Sequence, residues 1–67
     1  MDAIRVEYET CDSGAGEFTL YECASVNDAL DRATEIILCE ILEDGDQAEV
    51  WLFDDDADVL LTSAIVE

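Results

Sequence analysis

Residues 25–45, SVNDALDRATEIILCEILEDG, decide the fold, because their apolar residues recur at the three- and four-residue spacing of an amphipathic helix. Ser25 is a good helix cap, and Asp28, three residues on, lies near the positive end of the helix dipole. We therefore predict one helix over residues 26–43. Its predicted packing residues are Val26, Leu30, Ala33, Ile37 and Ile41. Glu40 departs from the pattern, because its predicted angle points toward the apolar stripe.

The segments on both sides of this helix alternate between apolar and polar residues, which is typical of half-buried strands. Residues 4–10, IRVEYET, alternate cleanly and are followed by a turn rich in Asp and Gly. Residues 17–24 alternate again, so the first part of the chain predicts a β-hairpin, and residues 48–66 predict a second one. The sequence thus predicts an α+β fold in a single compact domain, residues 1–67. Its order is ββαββ, an antiparallel-rich four-stranded sheet with one helix packed on one face.

The second hairpin turns at residues 53–58, FDDDAD, which concentrate four carboxylates and are predicted to have nothing basic nearby. The returning strand, residues 59–66, is nearly apolar on both faces, which is typical of a central strand. In the simplest register Trp51 faces away from the helix and lies opposite Leu60. It is then part of an apolar patch on the sheet face that the helix leaves open. The other members of this predicted patch are Phe53 and Ala64. The patch is interpreted either as a surface covered by a dimer partner or by the chain ends, or as a hot spot of a binding interface, where Trp is favoured.

The composition is strongly acidic: 67 residues include 19 Asp or Glu and two Arg, with no Lys, His or Pro, and the net charge is −17. With 51% hydrophobic residues, the chain is nevertheless too apolar for a disordered acidic tail. Its field repels nucleic acid and anionic membranes, so we expect no direct binding to either and a basic electrostatic partner. No apolar run approaches the ~18 residues of a membrane span, and residues 1–7 lack the features of a signal peptide. Three cysteines without a CxxC pair favour reduced thiols and a cytoplasmic location over a disulfide framework or a zinc site.

Catalytic and metal chemistry find little support in the sequence. The spacing Asp54-x-Asp56-x-Asp58 matches the start of an EF-hand calcium loop, but Val59 and Ile65 stand where that loop needs Gly and Glu. A solvated acidic turn is the alternative that we prefer. The chain has no His, no Lys and no glycine-rich phosphate loop, and one helix on one sheet leaves little room for a substrate pocket. We predict neither an enzyme nor a cofactor.

The carboxylates can instead form rows whose spacing approximates that of neighbouring phosphates. Carboxylates one helical turn apart lie about 5–6 Å from each other, and those on one face of a strand lie about 6.5–7 Å apart. We predict a set of partner-binding residues made of a helix row, a strand row, the acidic hairpin turn, a cluster after the helix, and one aromatic residue. In that order they are Asp28, Asp31 and Glu35; Glu7 and Glu9; Asp54, Asp55, Asp56 and Asp58; Glu43, Asp44, Asp46 and Glu49; and Trp51.

Three interpretations of this acidity remain open. The first is salt adaptation, which the absence of Lys favours and the three Cys do not. The second is a general acidic module that binds a basic protein. The third is imitation of nucleic acid, in which carboxylates occupy the Lys and Arg sites that normally hold phosphates.

In size, charge and compact α+β organisation the whole chain resembles the small acidic DNA-mimic inhibitors of phages and mobile elements, particularly anti-CRISPR proteins. The resemblance involves no diagnostic motif. It implies binding to the basic DNA-recognition surface of a CRISPR effector complex, with type I favoured, and a block of target DNA binding. It also implies a cytoplasmic site of action in an infected or host bacterial cell, as a monomer or a homodimer.

Overall fold

The computed structural model describes residues 3–67, which form one four-stranded sheet and one helical segment. In chain order the elements are strand β1 (Ala3–Thr10), strand β2 (Ala15–Tyr21), helix α1 (Val26–Ile36), a π-helical turn (Ile37–Ile41), strand β3 (Ala48–Asp54) and strand β4 (Val59–Val66). The sheet order is β2-β1-β3-β4, and each neighbouring pair is antiparallel. The predicted α+β fold with ββαββ order is confirmed.

Strand register places the alternating apolar residues of the sheet on the face that α1 covers. Ile4 pairs with Leu20 on β2, while Val6 pairs with Leu52 on β3. Because paired residues share a face of the sheet, these side chains meet in one layer under the helix. The buried core consists of Ile4, Val6, Leu20, Cys23, Ala29, Ala33, Ile37, Ala48, Val50, Leu52 and Val66.

Helix α1 begins after the cap residue Ser25, as predicted from the sequence. The Ser25 hydroxyl accepts a hydrogen bond from the Asp28 backbone N–H at 3.0 Å, and the Asp28 carboxylate accepts one from the Ala24 N–H at 3.2 Å. The first bond satisfies one orphan donor of the first turn, and the second ties the residue before the cap to the helix. Of the predicted packing residues, Ala33 and Ile37 are buried, Leu30 and Ile41 pack against the core while half-buried, and Val26 is half-buried outside that cluster.

The helical segment ends at Ile41, two residues before the predicted end, and its last turn is π-helical. The Leu42 N–H donates to the Ile37 carbonyl at 2.8 Å, a bond across five residues. A π turn holds more residues than an α turn, so successive side chains are separated by a smaller angle. Glu40, which a continuous α-helix would turn toward the apolar stripe, is exposed. The wider turn therefore resolves the one misfit of the predicted helix.

Two predictions about the second hairpin are wrong. Strand β4 lies at the edge of the sheet instead of its centre, since it is the last strand in the order. Trp51 pairs with Ser63 instead of Leu60, three positions further along β4. Two of these three positions come from the length of the loop. Pairing of Trp51 with Leu60 would leave two residues between the strands, whereas Asp54 pairs with Val59 and leaves four. The third comes from a bulge in the register beside Leu52 and Phe53.

This register also changes the membership of the predicted apolar patch. Ala64 pairs with Val50, a fully buried residue, so Ala64 lies on the helix-covered side and not on the open side. Leu60 pairs with Phe53, and Ile65 pairs with Glu49, so both lie on the open side. The face of the sheet opposite α1 is called the open face below.

Candidate acidic binding surface

The open face brings together carboxylates from three adjacent strands. Glu7 on β1 pairs directly with Glu17 on β2, and Glu9 pairs directly with Glu49 on β3. Directly opposed side chains have Cβ atoms about 4.5–5.5 Å apart, and like charges in such pairs are destabilising. With Trp51, three of these residues line a shallow concavity of about 500 Å³. We call Glu7, Glu9, Glu17 and Glu49 the open-face carboxylates.

Sequence reasoning found three of these four residues but separated them into different groups, and it missed Glu17. The turn between β1 and β2 brings Glu17 back against Glu7. Working out the register of the first hairpin from its turn would have placed Glu17 there. Spacing along one strand, which produced the pair Glu7 and Glu9, carries no information about the neighbouring strand.

Arg5 lies at the junction of the open-face carboxylates and the acidic turn, residues 54–58. Its guanidinium donates to the Glu7 carboxylate at 3.0 Å and to the Asp58 carboxylate, and it lies 4.8 Å from the centre of the Phe53 ring. It also reaches two further carboxylates, those of Asp55 at 3.7 Å and Glu17 at 3.8 Å. The pKa of Arg5 is raised further above its already high value, chiefly because Asp58 and then Glu7 accept its hydrogen bonds. The prediction that nothing basic lies near FDDDAD is therefore wrong.

Within the acidic turn, the four aspartates make different contacts. The Asp54 carboxylate accepts hydrogen bonds from the backbone N–H groups of Asp56 and Ala57, at 3.0 and 3.2 Å, so it shapes the turn. Asp58 adopts a left-handed backbone conformation with φ of 56°, which Asp tolerates better than most residues. Asp55 and Asp58 point toward Arg5, while Asp56 is exposed. Asp55, Asp56 and Asp58 thus present their charge at one end of the sheet.

Asp46, which was predicted to be one of the partner-binding residues, instead stabilises the turn between β1 and β2. It is 7% exposed, and its carboxylate receives five hydrogen bonds from the turn between β1 and β2 and from its own neighbour. The donors are the backbone N–H groups of Cys11, Asp12, Ser13 and Gln47 and the Ser13 hydroxyl, at 2.6–3.3 Å. The Ser13 hydroxyl first, and then the backbone donors, hold the pKa of Asp46 below its usual value. Since its oxygens are already engaged, we remove Asp46 from the binding set.

The helix row lies on the other side of the molecule. The Asp28 carboxylate accepts a hydrogen bond from the Ala24 N–H and lies 3.9 Å from the Arg32 guanidinium, which donates to the Tyr21 carbonyl at 3.0 Å. Asp31 and Glu35 are exposed on α1, which covers the opposite face of the sheet from Glu7 and Glu9. Glu43 and Asp44 are exposed in the loop before β3. The structure therefore does not join all the predicted carboxylates into one surface.

The open face has an acidic half and an apolar half. The acidic half lies on β2, β1 and the start of β3, and the apolar half lies on the rest of β3 and on β4. The apolar half contains the half-buried Trp51 and Phe53 and the exposed Leu60 and Ile65. Trp51 pairs with Glu7 on one side and with Ser63 on the other, so it lies at the boundary between the two halves.

Among residues 3–67, no group of three or more Cys, Asp or Glu side chains is arranged to hold a metal ion. In the same range, no helix has both the length and the apolar character needed to cross a membrane. Comparisons of the chain with protein-family models, with curated proteins and with solved structures found no match.

Proposed function

We propose that the protein is a nucleic-acid mimic. It binds the basic DNA-recognition surface of a partner, with a CRISPR effector complex, most readily of type I, as the partner class, and it blocks target DNA binding. The observation that carries the proposal is the pairing of Glu7 with Glu17 and of Glu9 with Glu49 on the open face, beside the acidic turn. Opposed glutamates, with Cβ atoms about 5 Å apart across strands, and glutamates about 6.5–7 Å apart along one strand form a two-dimensional array of negative charge. These spacings approximate the distance between neighbouring phosphates, which is why such an array suits Lys and Arg sites that hold phosphates.

The cost of this arrangement supports the proposal. Two carboxylates about 6 Å apart repel by about 0.7 kcal/mol in water, and two such pairs lie side by side on one small sheet. Arg5 offsets part of the repulsion for Glu7 and Glu17, but Glu9 and Glu49 make no ion pair among the described residues. A basic partner would relieve the remaining repulsion between these carboxylates when it binds, whereas in the unbound protein dissolved salt only screens that repulsion.

Salt adaptation is the second candidate, and one observation favours it. Exposed carboxylates also lie on the helix side, at Asp31, Glu35 and Glu40, and in the loop at Glu43 and Asp44. A mimic needs one continuous charged surface, whereas a salt-adapted protein carries charge on every side. Circular dichroism at low salt separates the two: a mimic folds in ~0.1 M salt, and a salt-adapted protein gains its helix signal only in molar salt.

Two matched variants test the mimic directly. The open-face variant carries Glu9→Gln, Glu17→Gln and Glu49→Gln, and the helix-side variant carries Asp31→Asn, Glu35→Gln and Glu40→Gln. Each removes three exposed charges, and each should fold at least as stably as the parent because repulsion falls. The assay is binding of labelled target DNA to a purified type I effector complex, with increasing amounts of each protein.

The open-face variant should need at least ten times more protein for half-inhibition, and the helix-side variant should match the parent. DNA should compete with the parent protein, which should itself bind neither DNA nor RNA. Equal loss in both variants would mean that total charge matters and its geometry does not. A Trp51→Ala variant separates charge from apolar contact. If Trp51→Ala alone abolishes inhibition while the open-face variant stays active, the protein is an ordinary hot-spot binder with an acidic coat.

A further inference from the structure

Strand β4 is an edge strand without the usual protection. It has eight residues, VLLTSAIV, with no charged residue and no Pro, and within the described residues its backbone pairs only with β3. Natural proteins normally blunt such an edge with charge, Pro or short length, because an open edge pairs with other strands. The other edge of this sheet is different. Strand β2 carries Glu17, and Arg32 donates to the Tyr21 carbonyl at its end.

The second half of β4 is regular enough to pair with another strand. The bulge lies beside Leu52 and Phe53, and from Thr62 to Val66 each residue pairs in turn with β3. Ile65 is 54% exposed and Leu60 is 52% exposed on the open face, and both are among the large apolar residues that the described part of the chain leaves exposed. The edge therefore offers both unpaired backbone groups and apolar side chains.

The charges at the two ends of β4 decide which strand fits there. The acidic turn, which ends at Asp58, lies at the start of β4. At the end of β4, Glu67 follows the strand and Glu49 pairs with Ile65. Two copies of the chain paired in antiparallel fashion through β4 would set the Asp58 end of each against the Glu67 end of the other. Both ends of that interface would then oppose carboxylates, between molecules that each carry a charge of −17. A strand with basic ends meets opposite charge at both ends instead.

We propose that the β4 edge is a docking site for an extended segment of a basic partner. The segment adds a fifth strand along Thr62–Val66, with uncharged β-forming residues in its middle and Lys or Arg at its ends. Backbone hydrogen bonds supply the pairing, as in other cases of strand addition, and here the flanking charges select the partner. The inference takes from the proposed function only the basic charge of the partner, since it concerns the backbone edge and not the DNA-mimicking carboxylates.

Synthetic peptides test the docking site on the intact protein. The probe is KKTVTVTVKK, and the two controls are EETVTVTVEE, with reversed ends, and KKGPGPGPKK, with the same charge but a core that cannot form a strand. At 1 mM KKTVTVTVKK, nuclear magnetic resonance should show shifted amide signals along Thr62–Val66. Amide exchange in that segment should slow at least tenfold at alternate residues. The two controls should produce no such protection.

Two variants with the same charge change locate the effect. Ile65→Lys places a cation on the proposed edge and should abolish the protection. Leu38→Lys replaces an apolar residue that is 44% exposed on the helical side, and it should leave the protection intact. The proposal is overturned if the shifts map to the acidic turn or to β2, if KKGPGPGPKK acts equally well, or if KKTVTVTVKK gives no protection. It is also overturned if sedimentation gives a dimer whose β4 amides are protected without peptide, because a second copy then occupies the edge.

These outcomes are independent of the DNA-competition assay. Loss of strand docking with intact inhibition leaves the mimic standing. Intact docking with no effect of the open-face variant identifies a strand-binding module in place of a mimic.

Discussion

Replacing Ile37 by Ala tests the packing of the helix on the sheet. Ile37 is fully buried in the core at the first position of the π turn. The substitution removes three carbon atoms, and at about 0.8 kcal/mol for each buried carbon the transfer loss is about 2.4 kcal/mol. The cavity left behind adds to this loss, and measured values for buried Ile to Ala lie at about 2–5 kcal/mol. In a domain of this size each kcal/mol lowers Tm by about 4–8 °C, so the transfer loss alone corresponds to about 10–20 °C.

The neighbouring residue supplies the control. Leu38 is 44% exposed on the same turn, so Leu38→Ala should lose only about half of that transfer free energy, about 1.3 kcal/mol, and should leave no enclosed cavity. Thermal unfolding of both variants is followed by circular dichroism in ~0.2 M salt, where exposed charges are screened. If Ile37→Ala melts within a few degrees of Leu38→Ala, the side chain does not hold the helix to the sheet and the described packing is wrong.

Two further predictions concern the charges. Arg5→Gln should lower Tm at low salt more than Arg32→Gln does, because Arg5 contacts four carboxylates. The difference in Tm should shrink as salt is added, and equal salt responses of the two variants would contradict the role of Arg5 in offsetting carboxylate repulsion. Stability should rise when the pH falls from neutral, as protonation reduces carboxylate repulsion, and should fall again at lower pH. Stability falls at lower pH because folding lowers the pKa of Asp46. The stabilisation from the Asp46 carboxylate is complete above the ordinary carboxyl pKa, and it is lost as the pH drops through the pKa of Asp46 in the folded protein. Asp46→Asn should therefore weaken the acid-side fall, while Asp44→Asn, at an exposed position, should leave it unchanged.

The elements of the fold followed from local patterns, because each pattern repeats over neighbouring residues. Alternation marked β1 and β2, and three- and four-residue spacing marked α1. The apolar β4 was misplaced at the sheet centre because its pattern reports only how apolar a strand is, and the edge position leaves Leu60 and Ile65 half-exposed. The π turn could not be predicted from spacing alone, and its only sign in the sequence was the misfit of Glu40.

The errors at the candidate site come from contacts between distant parts of the chain. Arg5 reaches Asp58 across 53 positions, and Asp46 reaches Ser13 across 33. Neither contact leaves a local pattern, so the acidic turn looked uncompensated and Asp46 looked like a surface carboxylate. Glu17 joined Glu7 only when the hairpin register was known. Local spacing therefore predicts which carboxylates lie in a row on one helix or strand. The tertiary fold decides which of these carboxylates are already engaged by distant residues.

The position of Arg5 divides the open face into two electrostatic zones. Near the acidic turn, one guanidinium is shared by four carboxylates, so a partner's cation there has to compete with Arg5. At the other end of the face Glu9 and Glu49 oppose each other directly, and the chain's second arginine, Arg32, lies on α1. A cation that binds between Glu9 and Glu49 removes a repulsion and displaces nothing, so this end offers the larger gain. It also adjoins Ile65 on β4, which pairs with Glu49, so a basic segment can contact these carboxylates and the β4 edge together.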